Sequence, residues 1–82
     1  MRLVWDEPKR LANLDKHGWD FAQLEVDFFL NSRVLPGREG RYRAIGKVED
    51  HAVTVVFATL GREGLSIISM RTASRGERSL LR

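Results

Sequence analysis

The sequence predicts a compact α+β domain in which two N-terminal helices and a short C-terminal helix pack on an antiparallel sheet of about four strands, in the order β-α-α-β-β-β-α. Its 82 residues suffice for one domain, so residues 1–82 are treated as a single unit. Helix signals are concentrated in the first thirty residues, whereas β-branched and aromatic residues dominate most of the remainder. Runs of helix followed by runs of strand are typical of this fold class.

The chain begins with a predicted edge strand and a first helix. Arg2 to Trp5 is a short apolar run of the kind that forms a strand at the edge of a sheet. Pro8 to His17 is expected to be helical, because proline is tolerated in a first turn and the preceding acidic residues favour a helix N-terminus. Gly18 supplies the left-handed residue that commonly ends a helix.

A second helix is expected to begin at Phe21. Asp20 and Gln23 have the spacing of a capping box. Phe21, Leu24 and Phe28 recur at helical intervals and give a broad apolar face, which needs a flat surface to pack on. A sheet built by the second half of the chain is the expected partner of this face.

The second half is expected to form a strand meander followed by a short helix. Residues 31–40 are rich in turn formers and are expected to connect the second helix to the sheet. Three strands follow, separated by hairpin loops: Arg41–Val48, Ala52–Leu60 and Leu65–Met70. Ser74 and Glu77 have capping-box spacing, which predicts the start of the final helix.

The charge distribution predicts that the second half binds a polyanion. Residues 1–30 carry four cations and six anions, whereas residues 31–82 carry ten cations and five anions, so their net charges are −2 and +5. All but three of the fourteen cations are arginine. The planar guanidinium group suits bidentate binding of phosphate or carboxylate. A coding bias toward arginine is the alternative explanation.

Composition argues against several kinds of site and location. Without cysteine, the chain forms neither a disulfide nor a thiolate zinc site, and a cytoplasmic location is expected. The longest apolar-rich run, residues 52–60, is less than half a membrane span, and the acidic start is unlike a signal peptide. Two histidines without a carboxylate cluster do not predict a metal site. No cofactor is expected.

Three arginines near the carboxyl end are the main candidates for binding a phosphate. Arg71 ends the last predicted strand, and Arg75 and Arg78 share a helical face because they are three residues apart. Cations at a helix N-terminus oppose the helix dipole, a conflict that a bound anion would remove. Pairing with the acidic first half of the chain is the alternative. Glu77 is either a capping residue or, with less support, a general base.

Two further segments carry candidate site residues. Lys16 and His17 end the first helix, where cations complement the helix dipole, although histidine is also the side chain best suited to proton transfer near neutral pH. The other segment combines cations with an aromatic side chain, as sites for single-stranded nucleic acid do, or else forms a solvated strand face. Its members are Arg33, Arg38, Arg41, Tyr42 and Arg43.

Together these features resemble the BrnT family of ribonuclease toxins from type II toxin–antitoxin systems. The resemblance covers essentially the whole chain through an ordered set of short motifs: Trp5-Asp6-Glu7 with Lys9, Asn13, Lys16-His17-Gly18, Asp20-Phe21, Arg41, Gly46, Ile67 to Arg71, Ala73 and Glu77-Arg78. The sequence departs from the family pattern at Met70, where alanine is expected, and its last helix is expected to be short. The family implies a compact RelE-like fold.

The resemblance implies a toxin that cleaves RNA, arrests translation and is neutralised by an antitoxin. The implied antitoxin is of the BrnA type, a small protein with a ribbon-helix-helix DNA-binding part, in a complex of two toxins and two antitoxins. DNA is then contacted only through the antitoxin. Site roles carry over to Lys16-His17, to Arg71 and to Glu77-Arg78, whereas Arg75 joins them by spacing alone.

The expected chemistry is metal-independent cleavage in which the RNA 2′-hydroxyl attacks the neighbouring phosphate. The C-terminal arginines would hold the phosphate, and His17, or with less support Glu77, would accept the proton. Lys16 would assist the leaving oxygen or bind the RNA backbone. Two other functions stay open: a module that binds nucleic acid without cutting it, and an interaction protein whose basic face docks an acidic partner.

Overall fold

Five strands form one sheet in the computed structural model, which describes residues 1–81. In chain order the elements are β1 (Arg2–Val4), α1 (Glu7–His17), a 3-10 helix (Phe21–Gln23), α2 (Val26–Leu30), β2 (Arg33–Pro36), β3 (Arg41–Val48), β4 (His51–Leu60), β5 (Gly64–Thr72) and α3 (Arg75–Ser79). The sheet order is β1-β5-β4-β3-β2. β1 runs parallel to β5, and the other neighbours are antiparallel. The predicted α+β class is confirmed.

The first helix forms as its end signals predict. The Asp6 side chain accepts a hydrogen bond from the backbone of Lys9 and caps the N-terminus. Gly18 adopts a φ of 76° and donates its N–H to the Leu14 carbonyl, which ends the helix in the left-handed conformation. A substitution at Gly18 would therefore strain the backbone.

The prediction of one continuous second helix is wrong. The chain makes a single 3-10 turn, closed by the expected capping box, and then runs extended through Leu24 and Glu25 before α2 begins. Packing explains the interruption, because each short segment sends its own apolar side chains into the core: Phe21 and Leu24 from the first, Phe28 and Phe29 from the second. Burial on the sheet outweighs local helix propensity here.

The predicted count of about four strands is also wrong, because residues 31–40 are more than a connection. They contain β2, whose four residues pair antiparallel with β3 at the sheet edge. Turn formers at Pro36 and Gly37 concealed it, although proline is tolerated in an edge strand. With five strands, one of them in parallel pairing, the expected element order and the RelE-like label differ in detail from the observed fold.

The core lies between the sheet and the N-terminal helices. Its buried members are Phe21, Leu24, Phe28, Phe29, Ala44, Val53, Val55, Phe57, Ile67 and Met70. Gly46 is required for close packing, since a Cβ atom there would lie 3.0 Å from the ring of Phe28. A bulge in β5 leaves Ile68 without a partner on β4 and lets both Ile67 and Met70 face this core.

Candidate phosphate-binding site

The face of the sheet opposite the core is the candidate site, and we call it the open face. Within residues 1–81, α3 is the one helix on this side, and it lies over Thr54. Strand pairing sets the other side chains of the open face in three rows: Arg71, Thr54, Ile45 and Arg33; then Ser69, Val56, Arg43 and Leu35; then Ser66, Ala58 and Arg41. In the first row, Thr54 and Ile45 thus lie between two arginines.

Glu77 lies at the centre of the site. It forms the predicted capping box of α3, in which Ser74 Oγ accepts from the Glu77 N–H at 3.2 Å and the Ser74 N–H donates to Oε1 at 2.8 Å. The Thr54 hydroxyl also donates to Oε1, at 2.9 Å. Arg71 makes two parallel bonds to the carboxylate, of 2.7 and 2.9 Å. Arg43 donates to Oε2 at 2.9 Å.

These contacts keep the carboxylate ionised. Hydrogen bonding to Arg71 lowers the pKa of Glu77 well below its usual value of 4.5. Burial acts in the opposite direction but is outweighed, and the bonds from Ser74 and Thr54 lower the pKa further. Because the side chain is only 7% exposed and accepts five hydrogen bonds, Glu77 is placed to hold the arginines in position.

Arg71 and Arg43 are held by one carboxylate but remain accessible. Their side chains are 34% and 38% exposed. Hydrogen bonding to the Glu77 carboxylate raises the pKa of Arg71, which donates these bonds, although burial opposes this effect. Two guanidinium groups and one carboxylate leave a net charge of +1, and each guanidinium has N–H groups that do not point at Glu77. The arrangement can bind a phosphate through charge-assisted hydrogen bonds.

Arg75 and Arg78 lie on α3 beside this network. Both are exposed, and they flank Glu77 in the same short helix. Four ion pairs form within residues 1–81, and neither arginine takes part in them. The described residues therefore do not support the alternative, in which these two arginines pair with acidic residues of the first half of the chain. Their predicted phosphate contact stays a prediction.

Lys16 and His17 belong to the end of α1, which Asn13 fixes beside Arg71. β1 ends opposite Ser66, and further along β5 the buried Asn13 side chain takes the place of a neighbouring strand. It accepts from the Met70 N–H at 3.1 Å and donates to the Met70 carbonyl at 2.9 Å. Lys16 and His17 follow about 4.5–6 Å further along the helix axis. This contact brings the two candidate segments to the same edge of the sheet.

The basic segment around Tyr42 is divided by strand alternation. Arg41 and Arg43 lie on the open face, and Arg38 lies in the turn between β2 and β3. Tyr42 faces the other side, where its ring stacks on Phe57 with a centroid distance of 5.6 Å. The sequence predicted only a general RNA contact for Arg43, whereas in the structure Arg43 donates a hydrogen bond to the Glu77 carboxylate.

Thr54 is the site residue that the sequence interpretation missed. It is fully buried in the middle of a valine-rich strand. The available signal was its position, because Val53 and Val55 face the core and alternation puts Thr54 on the opposite side. A lone hydroxyl at such a position needs a buried polar partner, and here that partner is Glu77.

Two negative observations concern residues 1–81. No group of three or more histidine, cysteine or carboxylate residues is arranged to hold a metal ion in this range. None of its helices is long and apolar enough to cross a membrane.

Comparisons with known proteins give one consistent result. The family described as "Ribonuclease toxin, BrnT, of type II toxin-antitoxin system" matches residues 5–77. The crystal structure of the Brucella abortus ribonuclease toxin BrnT is 47% identical and has a TM-score of 0.86, over 92% of this chain and 99% of that chain. No curated protein sequence matches. The chain therefore belongs to the BrnT family of ribonuclease toxins of type II toxin–antitoxin systems.

Proposed function

We propose that the protein is a metal-independent endoribonuclease whose cleavage of RNA arrests translation and growth. The observation that carries the proposal is the Arg43–Glu77–Arg71 network, which presents two partly exposed guanidinium groups on the open face. In the proposed reaction the 2′-oxygen forms a bond to the adjacent phosphorus and the bond to the 5′-oxygen breaks. The products are a 2′,3′-cyclic phosphate and a 5′-hydroxyl.

Arg71 and Arg43 bind the scissile phosphate in this proposal, and Arg75 and Arg78 add positive charge from α3. Negative charge builds on the phosphate oxygens as the 2′-oxygen attacks, and donors already held in place stabilise that charge without reorganising. Glu77 is a positioning residue, because it reduces the repulsion between two guanidinium groups and fixes their orientation. Removing one such phosphate donor is expected to slow cleavage about 100-fold.

His17 accepts the 2′-proton in this proposal, and Lys16 assists the leaving oxygen. Glu77 is poorly suited to the same task, because its pKa is lowered and its oxygens already accept five hydrogen bonds. Histidine is the side chain best suited to proton transfer near neutral pH. The support for His17 is its half-buried position one turn beyond Asn13, at the edge of the sheet where Arg71 lies.

The decisive experiment incubates the purified protein with single-stranded RNA and maps the cut sites. We expect cleavage that persists in EDTA, and a substrate with one 2′-deoxy substitution at the cut site should be inert. Arg78→Ala should slow cleavage without changing the melting temperature by more than about 2 °C, since the side chain is exposed. Undiminished cleavage of the 2′-deoxy substrate would contradict the mechanism, and activity that EDTA abolishes and Mg²⁺ restores would contradict metal independence.

The same experiment separates the other two functions. RNA that is bound with a steep salt dependence but stays intact would favour a binding module. A protein that neither cuts RNA nor slows cell-free translation would favour an interaction protein that docks an acidic partner. Neither result is expected.

We further propose that a BrnA-type antitoxin with a ribbon-helix-helix part covers the open face, and that the toxin acts in the cytoplasm on translated RNA. The assembly is two toxins and two antitoxins, and DNA is contacted only through the antitoxin. Light scattering on the co-purified complex should give the mass of this four-chain assembly. The complex should also melt at a higher temperature than the toxin alone, and equal melting temperatures would contradict a stabilising partner.

A further inference from the structure

We propose that a hollow beside the phosphate site binds the nucleobase next to the scissile phosphate, so that the turn between β2 and β3 determines which RNA sequences are cut. This inference rests on the proposed ribonuclease function. The hollow has a volume of about 470 Å³ and lies at the end of the sheet. Its lining includes Gly37, Arg38, Arg41, Tyr42, Arg43 and Val56.

Arg43 connects the hollow to the phosphate site. Its guanidinium group donates to Glu77 at 2.9 Å, and the same side chain lines the hollow. Arg41 lies two residues earlier on the same face, about 7 Å away along the strand. A nucleotide whose phosphate is bound by Arg43 and Arg71 therefore has its base within reach of the hollow.

The lining has the surfaces that bind an unstacked base. Arg41 and Arg43 provide guanidinium planes on the open face, whereas the Tyr42 ring stacks on Phe57 on the opposite face of the sheet. Val56 adds an apolar floor that is partly exposed. Unpaired RNA bases commonly stack on arginine guanidinium planes, with hydrogen bonds to base edges setting the preference.

The polar groups of the hollow favour guanine. Arg38 and Arg41 carry donors and no acceptors, so they select a base edge that offers acceptors. Arginine pairs in a bidentate manner with O6 and N7 of guanine, and that edge is accessible in an unpaired strand. Adenine presents an amino donor in place of O6, which would oppose an arginine donor.

The turn that carries these side chains is fixed by backbone contacts. The Gly37 N–H donates to the Arg41 carbonyl at 2.8 Å, and the Arg41 N–H donates to the Arg38 carbonyl at 3.0 Å. A Cβ atom on Gly37 would lie 3.2 Å from the Arg41 carbonyl oxygen, so a larger residue would disturb the turn. A preformed turn loses less conformational entropy when a base binds.

A second hollow, elsewhere on residues 1–81, does not suit this ligand. It has a volume of about 700 Å³, and its lining includes the carboxylates of Glu25, Asp27 and Glu49 with one cation, Lys47. Carboxylates repel the RNA backbone, whereas the smaller hollow carries three arginines. The positive charge of its lining therefore makes the smaller hollow the better site for a base of bound RNA.

The test measures cleavage rates on short single-stranded oligoribonucleotides that differ in one base beside the mapped cut site. The wild-type protein should prefer guanine at least 10-fold over adenine at one position. Arg38→Gln and Arg41→Gln should each reduce that ratio below 3-fold. Arg2→Gln is the charge-matched control, because Arg2 is exposed on β1 at the opposite edge of the sheet, and it should keep the wild-type ratio.

The outcomes distinguish this inference from the proposed function. Cleavage with the same base ratio in wild type, Arg38→Gln and Arg41→Gln, or with no base preference in the wild type, overturns the base site and leaves the ribonuclease function standing. If no oligonucleotide is cut, the proposed function fails, and equilibrium binding of the same oligonucleotides tests the base site alone. Equal affinity for guanine and adenine would then overturn it. Arg38 and Arg41 are both exposed, so both variants are expected to fold.

Discussion

Replacing Glu77 with glutamine tests whether one buried carboxylate organises the site. The substitution keeps the size of the side chain but removes its charge, and one of its two oxygens becomes an NH₂ group. Five hydrogen bonds converge on the native carboxylate, three of them from Arg71 and Arg43. In the variant, the amide donors would face guanidinium donors, and two positive charges would lie side by side without their counterion.

The expected loss of stability is about 2–3 kcal/mol. Removing one partner of a buried ion pair costs about 3–5 kcal/mol when the charge that remains is fully buried. Here the arginine side chains are 34% and 38% exposed, so water hydrates part of the remaining charge and the cost lies at or below the lower limit. For a domain of this size, about 1 kcal/mol corresponds to roughly 4–8 °C, so the melting temperature should fall by roughly 10–20 °C.

Thermal unfolding followed by circular dichroism at pH 7 measures this loss. Glu63→Gln is the matched control, since Glu63 is exposed in the turn before β5, and it should melt within about 2 °C of the wild type. Below its melting temperature, Glu77→Gln should bind RNA at least as tightly as the wild type, because its net charge is more positive, but should cleave it more slowly. A variant that melts and cleaves like the wild type would refute the positioning role.

Three other perturbations follow from the structure. The pKa of Glu77 is lowered in the folded state, so the stability that its charge contributes is present above the unfolded-state pKa of about 4.3 and is lost as the pH falls below that value. The difference in melting temperature between wild type and Glu77→Gln should therefore shrink between pH 7 and pH 3. A difference that stays constant would contradict this linkage. Asn13→Ala leaves the backbone groups of Met70 unpaired and should cost about 2–4 kcal/mol in urea unfolding, whereas a loss under about 0.5 kcal/mol would show that water replaces the side chain. Gly46→Ala forces a methyl group against Phe28 and should cost about 1–3 kcal/mol; wild-type stability would mean that the ring moves freely.

Features that depend on neighbouring residues were predictable from the sequence. Both capping boxes, the left-handed end of α1 at Gly18 and the short final helix are encoded within four or five residues of chain, and each forms as expected. The arginine-rich character of the second half was also visible from composition. These signals identified Arg71 and its neighbours as candidates before any contact was known.

Features that depend on distant residues were not predictable in this way. Arg43 and Glu77 are 34 positions apart, and Asn13 and Met70 are 57 positions apart, so no local spacing links them. β2 was hidden by turn-forming residues and exists because β3 provides a partner. The interrupted second helix follows from the shape of the core. Tertiary packing decided each of these cases against local propensity.

The bulge in β5 determines how many residues that strand can contain. Ile67 and Met70 both face the core although they are three positions apart, which a regular strand does not allow. Regular alternation over residues 67–71 would turn the Arg71 guanidinium toward the apolar interior if Ile67 stayed inside, whereas deleting Ile68 would remove the bulge and leave Arg71 on the open face. The bulge therefore accommodates one residue beyond regular pairing, and homologues that lack a residue at position 68 should retain this phosphate site.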